Sequence, residues 1–117
     1  MIVLVCGGRN FKDALTLDSW LGGIHRDHTI TKLVHGDAAG ADRMAAKFAE
    51  WAGIPVEAYP ADWSKDGKAA GPIRNAKMLA ESKPDLVVAF EGGRGTADMV
   101  SKARAAGVKV HIAEKIQ

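Results

Sequence analysis

Five short apolar runs constrain this chain more than anything else in it: IVLVC at 2–6, KLVH at 32–35, PVEAY at 55–59, DLVVAF at 85–90 and VKVHI at 108–112. They are rich in β-branched residues and continuous rather than alternating in polarity, the pattern of strands covered on both faces. Between them the apolar period becomes helical. Leu17, Leu21 and Ile24 fall at i, i+4 and i+7, with Gly22 and Gly23 expected to weaken the second half of that helix. Ala41, Met44, Ala45, Phe48, Ala49 and Ala52 share one side of a second helix, which stops at Gly53. A third opens with Gly71 and Pro72 and runs through Ile73, Ala76 and Ala80 until Lys83 and Pro84 end it. The last takes Thr96 as its N-cap, sets Asp98 against the positive helix end and stops at Gly107. Strands joined by helical crossovers of this length pair in parallel. The fold expected is an α/β, Rossmann-like three-layer sandwich whose five-stranded parallel sheet has the order 3-2-1-4-5.

With 117 residues the chain is long enough for one core and too short for two ordinary ones, so residues 1–117 are expected to form a single domain. No apolar run reaches the length of a membrane span, and the start MIVLVCGGRNF lacks the basic lead and cleavage site of a signal peptide. A cytoplasmic address without membrane contact is expected. The lone Cys6 sits in an apolar run, where a buried, inert thiol is the ordinary reading. A net charge of +2, without a Lys/Arg block or interleaved aromatics, gives nucleic acid no preference as a partner.

In the order 3-2-1-4-5, strands 1 and 4 are neighbours and the chain reverses direction between them, so a ligand belongs at their carboxyl ends. The loops there are GGRN and EGGRG. Glycine after a strand brings bare amides close to a ligand, and the following helix adds unpaired N–H groups and a positive dipole end. Gly92, Gly93, Gly95, Thr96 and the planar fork of Arg94 therefore suit phosphate or carboxylate, and Gly7, Gly8, Arg9 and Asn10 repeat the arrangement. After strand 2, HGDAAGAD contributes Gly36, Asp37, Gly40 and Asp42, whose acids suit ribose hydroxyls or a metal. Each has a plain structural reading as well. Tight βα turns need glycine regardless of ligand, and Asp42 and Asp98 are equally first-turn helix carboxylates.

The segment PADWSKDGKAAG, residues 60–71, looks like a loop on the same edge. Its Trp63 either stacks on a base or pins the loop. Arg74 and Asn75 follow within reach of the same crevice. His35, closing strand 2, is either a general base or a packed strand-end histidine, and His25 and His28 lack a third ligand for zinc. No metal site and no cofactor are assigned.

GGRNF, HGDAAGAD, GPIRNAKML and GGRGTADMV, in that order, resemble the small YspA/YpsA-related branch of the SLOG superfamily, Rossmann-like domains implicated in binding nucleotides or their derivatives. That resemblance implies a nucleotide-like small-molecule partner and a homodimer or higher homo-oligomer, for which the helix faces carrying Trp20 or Trp51 offer apolar surface. Related LOG phosphoribohydrolases cleave the N-glycosidic bond of nucleoside monophosphates and carry PGGxGTxxE. Here Glu91 stands at the proline and Met99 at the glutamate, and the nearby carboxylate, Asp98, is turned about 100° around the helix. The primary expectation is a nucleotide, nucleotide-sugar or ADP-ribose-like ligand, bound as a signal or sequestered. One alternative is N-glycosidase activity with Asp37, Asp42 or Asp98 as the catalytic carboxylate. The other is single-stranded DNA binding of the DprA kind.

Overall fold

In a computed structural model that describes residues 1–116, β1 (Ile2–Cys6), β2 (Lys32–His35), β3 (Val56–Ala58), β4 (Leu86–Ala89) and β5 (Lys109–Ile112) form one parallel sheet in the order β3-β2-β1-β4-β5. The Rossmann-like arrangement expected from the apolar runs is the one observed. The register pairs Leu4 of β1 with Val34 on one side and Val87 on the other, making β1 the centre of the sheet. Successive strand residues point to opposite faces, and each face has its own core. Val3, Val5, Leu33, Leu86 and Val88 pack against Leu17, Leu21 and Ile24 of α1 (Ala14–His28) and Ala45, Phe48 and Ala49 of α2 (Ala41–Ala52). Leu4, Cys6, Val34, Val87 and Ala89 pack against Met78 of α4 (Ala70–Ser82) and Met99 and Ala103 of α5 (Arg94–Ala105). Apolar residues on both strand faces thus account for the two helical layers.

The helices depart from expectation in three places. First, α1 runs unbroken through Gly22 and Gly23 to His28. Leu21 and Ile24 are buried on either side of the pair, and that packing outweighs a propensity penalty of about 1 kcal/mol per glycine. Second, residues 60–71 are not an open loop. Asp62 caps a short helix, α3 (Trp63–Asp66), by accepting the Lys65 N–H at 3.1 Å, and a 3-10 turn at Gly67–Ala69 leads into α4. Helix α4 accordingly starts at Ala70, which is fully covered, ahead of the Gly71 and Pro72 start read from the sequence. Third, α5 begins at Arg94 with Gly93 as its N-cap, so Thr96 is already inside the first turn and caps nothing. Gly92 and Gly93 let the strand pass directly into the helix, and no side chain takes up the first amides. Among the described residues no helix is long and apolar enough to cross a membrane.

Candidate functional site

At the carboxyl ends of β1 and β4 three loops meet, and their glycines do different work. The Gly8 N–H donates to the Glu91 carbonyl at 2.8 Å, and the Gly8 carbonyl accepts from Phe11 N–H and Ala41 N–H, each at 3.2 Å. Contacts this close leave no room for side chains. A Cβ at Gly7 would lie 2.6 Å from Ala41 Cβ, one at Gly8 3.0 Å from Gly92 Cα, and one at Gly92 2.6 Å from Gly8 N. Gly40 combines a positive φ of 79° with the same crowding, since a Cβ there would come within 2.6 Å of the Arg9 carbonyl oxygen. Gly36 is packed beneath the Arg74 guanidinium. Gly93 and Gly95 are the opposite case: nothing lies within 4 Å of where their Cβ atoms would be. They leave the amino end of α5 open.

That open end faces a cleft of about 460 Å³. The cleft brings together most of the residues singled out from the sequence: Gly7, Gly8 and Arg9 after β1, Asp42 of α2, Trp63 of α3, Arg74 and Asn75 of α4, and Gly93, Arg94, Gly95, Thr96 and Asp98 of α5. Asn10, Gly36, Asp37, Gly40 and Gly92 do not line it. Asp37, held at φ 57°, is half exposed with its carboxylate 3.9 Å from Arg43. Lys68, which nothing in the local pattern marked, does line the cleft, carried there by the 3-10 turn that follows α3.

The polar side chains of the cleft divide into those occupied within the protein and those turned to the opening. Asn75 is buried and fully engaged: its amide donates to the Gly95 carbonyl at 3.1 Å and to Asp98 Oδ2 at 3.0 Å, and its oxygen accepts from Arg74 Nε at 3.0 Å. Arg74 also donates from Nη1 to the Gly36 carbonyl. Asp98 takes Lys102 Nζ on its other oxygen at 2.5 Å. Burial pushes the Asp98 carboxyl up, but the hydrogen bonds from Lys102 and Asn75 outweigh it and hold the group below its ordinary range. Met99, at the position of the LOG glutamate, is wholly buried in the core beneath α5. Arg9, Lys68 and Arg94 are exposed and make no hydrogen bond or ion pair among the described residues. They are the free positive charges around the opening.

Asp42 stands apart from the other carboxylates. It is 5% exposed, and its Oδ2 accepts the N–H groups of Gly36 at 3.1 Å and Ala38 at 3.2 Å, fastening the β2–α2 loop. Burial pushes its pKa up to about 6, against the pull of those amides and of Arg74. Beside it on the cleft floor, burial and the Asp42 charge push the Cys6 thiol up to about 12, so it is no nucleophile. His35 is buried and accepts the Asp37 N–H on Nδ1 at 2.9 Å, and burial lowers its pKa, as suits a packed neutral imidazole. Among the described residues no cluster of His, Cys, Asp and Glu could hold a metal ion. His25 Nδ1 is taken by the Ile30 N–H at the end of α1.

Of the two tryptophans considered for self-association, Trp20 is committed internally, donating to the Glu114 carbonyl at 2.9 Å and meeting His111 edge to face. Trp51 is 86% exposed on α2.

The sequence matches the family described as YspA, cpYpsA-related SLOG over residues 1–65, a span that includes the β1–α1 and β2–α2 loops. It is also similar to the Gene 61 protein of Mycobacterium phage D29, 36% identical over 116 residues, covering 92% of each chain.

Proposed function

We propose, from the premise that this chain belongs to the YspA, cpYpsA-related SLOG family, that the cleft between the β1 and β4 loops binds a nucleotide or nucleotide-derived ligand by its phosphate. The observation that carries this reading is the uncapped amino end of α5. Its first amides have no side-chain cap, Gly93 and Gly95 leave them open, and Arg94 and Arg9 stand free beside them. Unpaired N–H groups, the positive dipole end and planar guanidinium donors together suit an anion with several oxygens. The cleft volume of about 460 Å³ falls within the range of small-molecule sites.

The test is retention of ligand by the purified protein from a panel of nucleoside phosphates, NAD and ADP-ribose, read by calorimetry and by mass spectrometry of the bound and free fractions. An intact compound held with a Kd that rises in Arg94→Ala is the expected result. A panel without any retained compound overturns the reading.

Asp42 favours a second reading, hydrolysis of an N-glycosidic bond. It is the carboxylate of the cleft whose pKa burial pushes up, to about 6, and one of its oxygens is left over from the loop amides. In that role it takes a proton from water as the water attacks the anomeric carbon and the C–N bond breaks with its electron pair leaving on the base, and the proton then passes from Asp42 to the departing base nitrogen, directly or through solvent. Release of free base and sugar phosphate, abolished in Asp42→Asn while binding persists, is the expected signature. Unchanged turnover in that variant removes Asp42 from the chemistry.

A further inference from the structure

Trp63 is the largest side chain on the cleft lip and is poorly used by the protein itself. It is 57% exposed, belongs to neither core and pairs with no other aromatic ring. Its ring approaches the start of α4. The far end of the indole lies 3.4 Å from where a Gly71 Cβ would be, so the glycine at the start of α4 allows the ring to lie along the helix. A tryptophan that pinned this segment would be covered on its faces, because burying the ring is what gives a pin its strength. Here more than half of the residue is exposed, and it lines the cleft. The segment itself is ordered locally, by the Asp62 cap and by the 3-10 turn leading into α4, without needing the indole as a plug.

We propose that Trp63 is the stacking platform for a planar aromatic base, so that the ligand of this cleft is a nucleotide proper rather than a sugar phosphate or a free oxyanion. This rests on the phosphate reading of the α5 end and adds the second anchor point. The base lies against Trp63 on the α3 side, and the phosphate sits at Gly93–Gly95 on the α5 side, with the sugar crossing the floor formed by Cys6, Asp42 and Met78. Stacking of this kind depends little on which base is offered, because every base presents a π-face. Discrimination among bases therefore falls to edge contacts, for which Lys68, on the turn just after Trp63, is the donor placed on the same side of the cleft.

The experiment compares the full chain with Trp63→Ala and Trp63→Phe, titrating each with the four nucleoside 5′-monophosphates and with ribose 5-phosphate. Circular dichroism and melting temperature establish that both variants fold. Trp63→Ala is expected to weaken nucleotide binding about tenfold or more, in keeping with the usual strength of base–aromatic stacking. Ribose 5-phosphate binding should be unchanged, and Trp63→Phe should retain most of the nucleotide affinity. Nucleotide should also quench tryptophan emission in the wild type and lose that quench in Trp63→Phe. An equal loss for nucleotide and ribose 5-phosphate would make Trp63 a shaping residue and overturn the proposal, as would no loss at all. If ribose 5-phosphate binds the wild type and nucleotides bind no better, the stacking proposal fails while the phosphate reading stands. If neither binds, both fail.

Discussion

The β2–α2 and β4–α5 loops lie on the same edge of the sheet and are both rich in glycine, yet one is closed by the protein and the other is left open. In HGDAAGAD most groups are internally occupied, apart from the half-exposed Asp37 carboxylate and the second oxygen of Asp42. Gly36 lies under Arg74, Gly40 is pressed against the β1 loop, Asp42 holds two amides and His35 holds a third. In GGRGT only Gly92 is crowded in this way; beyond it the Gly95 carbonyl accepts from Asn75, but nothing fills the space beside Gly93 and Gly95, and the Arg94 side chain meets no partner among the described residues. Glycine content alone does not distinguish a loop that approaches another chain segment from one that approaches a ligand. The distinction lies in what occupies the space a Cβ would fill.

Substitution can break that contrast. Gly40→Ala places a methyl against two backbone carbonyls at a positive φ, and strain and overpacking together should cost about 3 kcal/mol, read as a lower urea midpoint. If Gly40→Ala is neutral, the closed loop is not closed. The next effect is a pH dependence. Because burial raises the folded-state pKa of Asp42 to about 6, the folded chain holds a proton there that the unfolded chain has lost. The stabilisation from that proton is complete below the unfolded pKa and disappears as pH rises through about 6, on the order of 2 kcal/mol. Asp42→Asn should flatten the slope between pH 4 and 6 in denaturation curves, and a wild type that is flat over this window removes the effect. Asp98, with its pKa held low, contributes with the opposite sign and at more acidic pH.

The open loop should respond in binding rather than stability. Arg94→Ala should leave the melting temperature within a degree or two and weaken phosphate-ligand binding about tenfold, the worth of a lost hydrogen bond to a charged group. A large drop in stability would show that Arg94 serves the fold. Smallest of all, Gly95→Ala should raise stability by up to about 1 kcal/mol, since a helical glycine with open space beside it is replaced by the best helix former. The same methyl intrudes where the ligand would lie, so affinity should fall as stability rises.

The centre of the sheet was legible in the sequence because strands covered on both faces are largely apolar, as in β1 and β4, whereas the edge strands β3 and β5 are partly exposed and carry Glu57 and Lys109. The edge on which the cleft lies was legible for a topological reason, since the reversal between β1 and β4 leaves their loops diverging. What could not be read was which polar groups are already taken. Asn75 and Asp98 sit on different helices and satisfy each other only because α4 and α5 pack side by side, a pairing that no local spacing encodes. Thr96 looked like a cap because threonine before a helical pattern usually is one, whereas the glycines ahead of it moved the start to Arg94. Lys68 and the short helix before it depend on Asp62 and on docking against α4, so a segment of polar residues and glycine gave no sign of either.

The junction at Gly8 has a kinetic meaning as well as a geometric one. Its amide reaches residue 91 and its carbonyl residue 41, so it joins parts of the chain that are far apart in sequence. Closing such distances costs loop entropy before any contact repays it, and the pairing of β1 with β4 closes the same distance, so the junction shares that cost with the centre of the sheet. A partly folded chain that has not yet paired β1 with β4 therefore has no anion site. Ligand binding reports on completion of the fold, and any compound that occupies the cleft raises the population of the finished state by mass action.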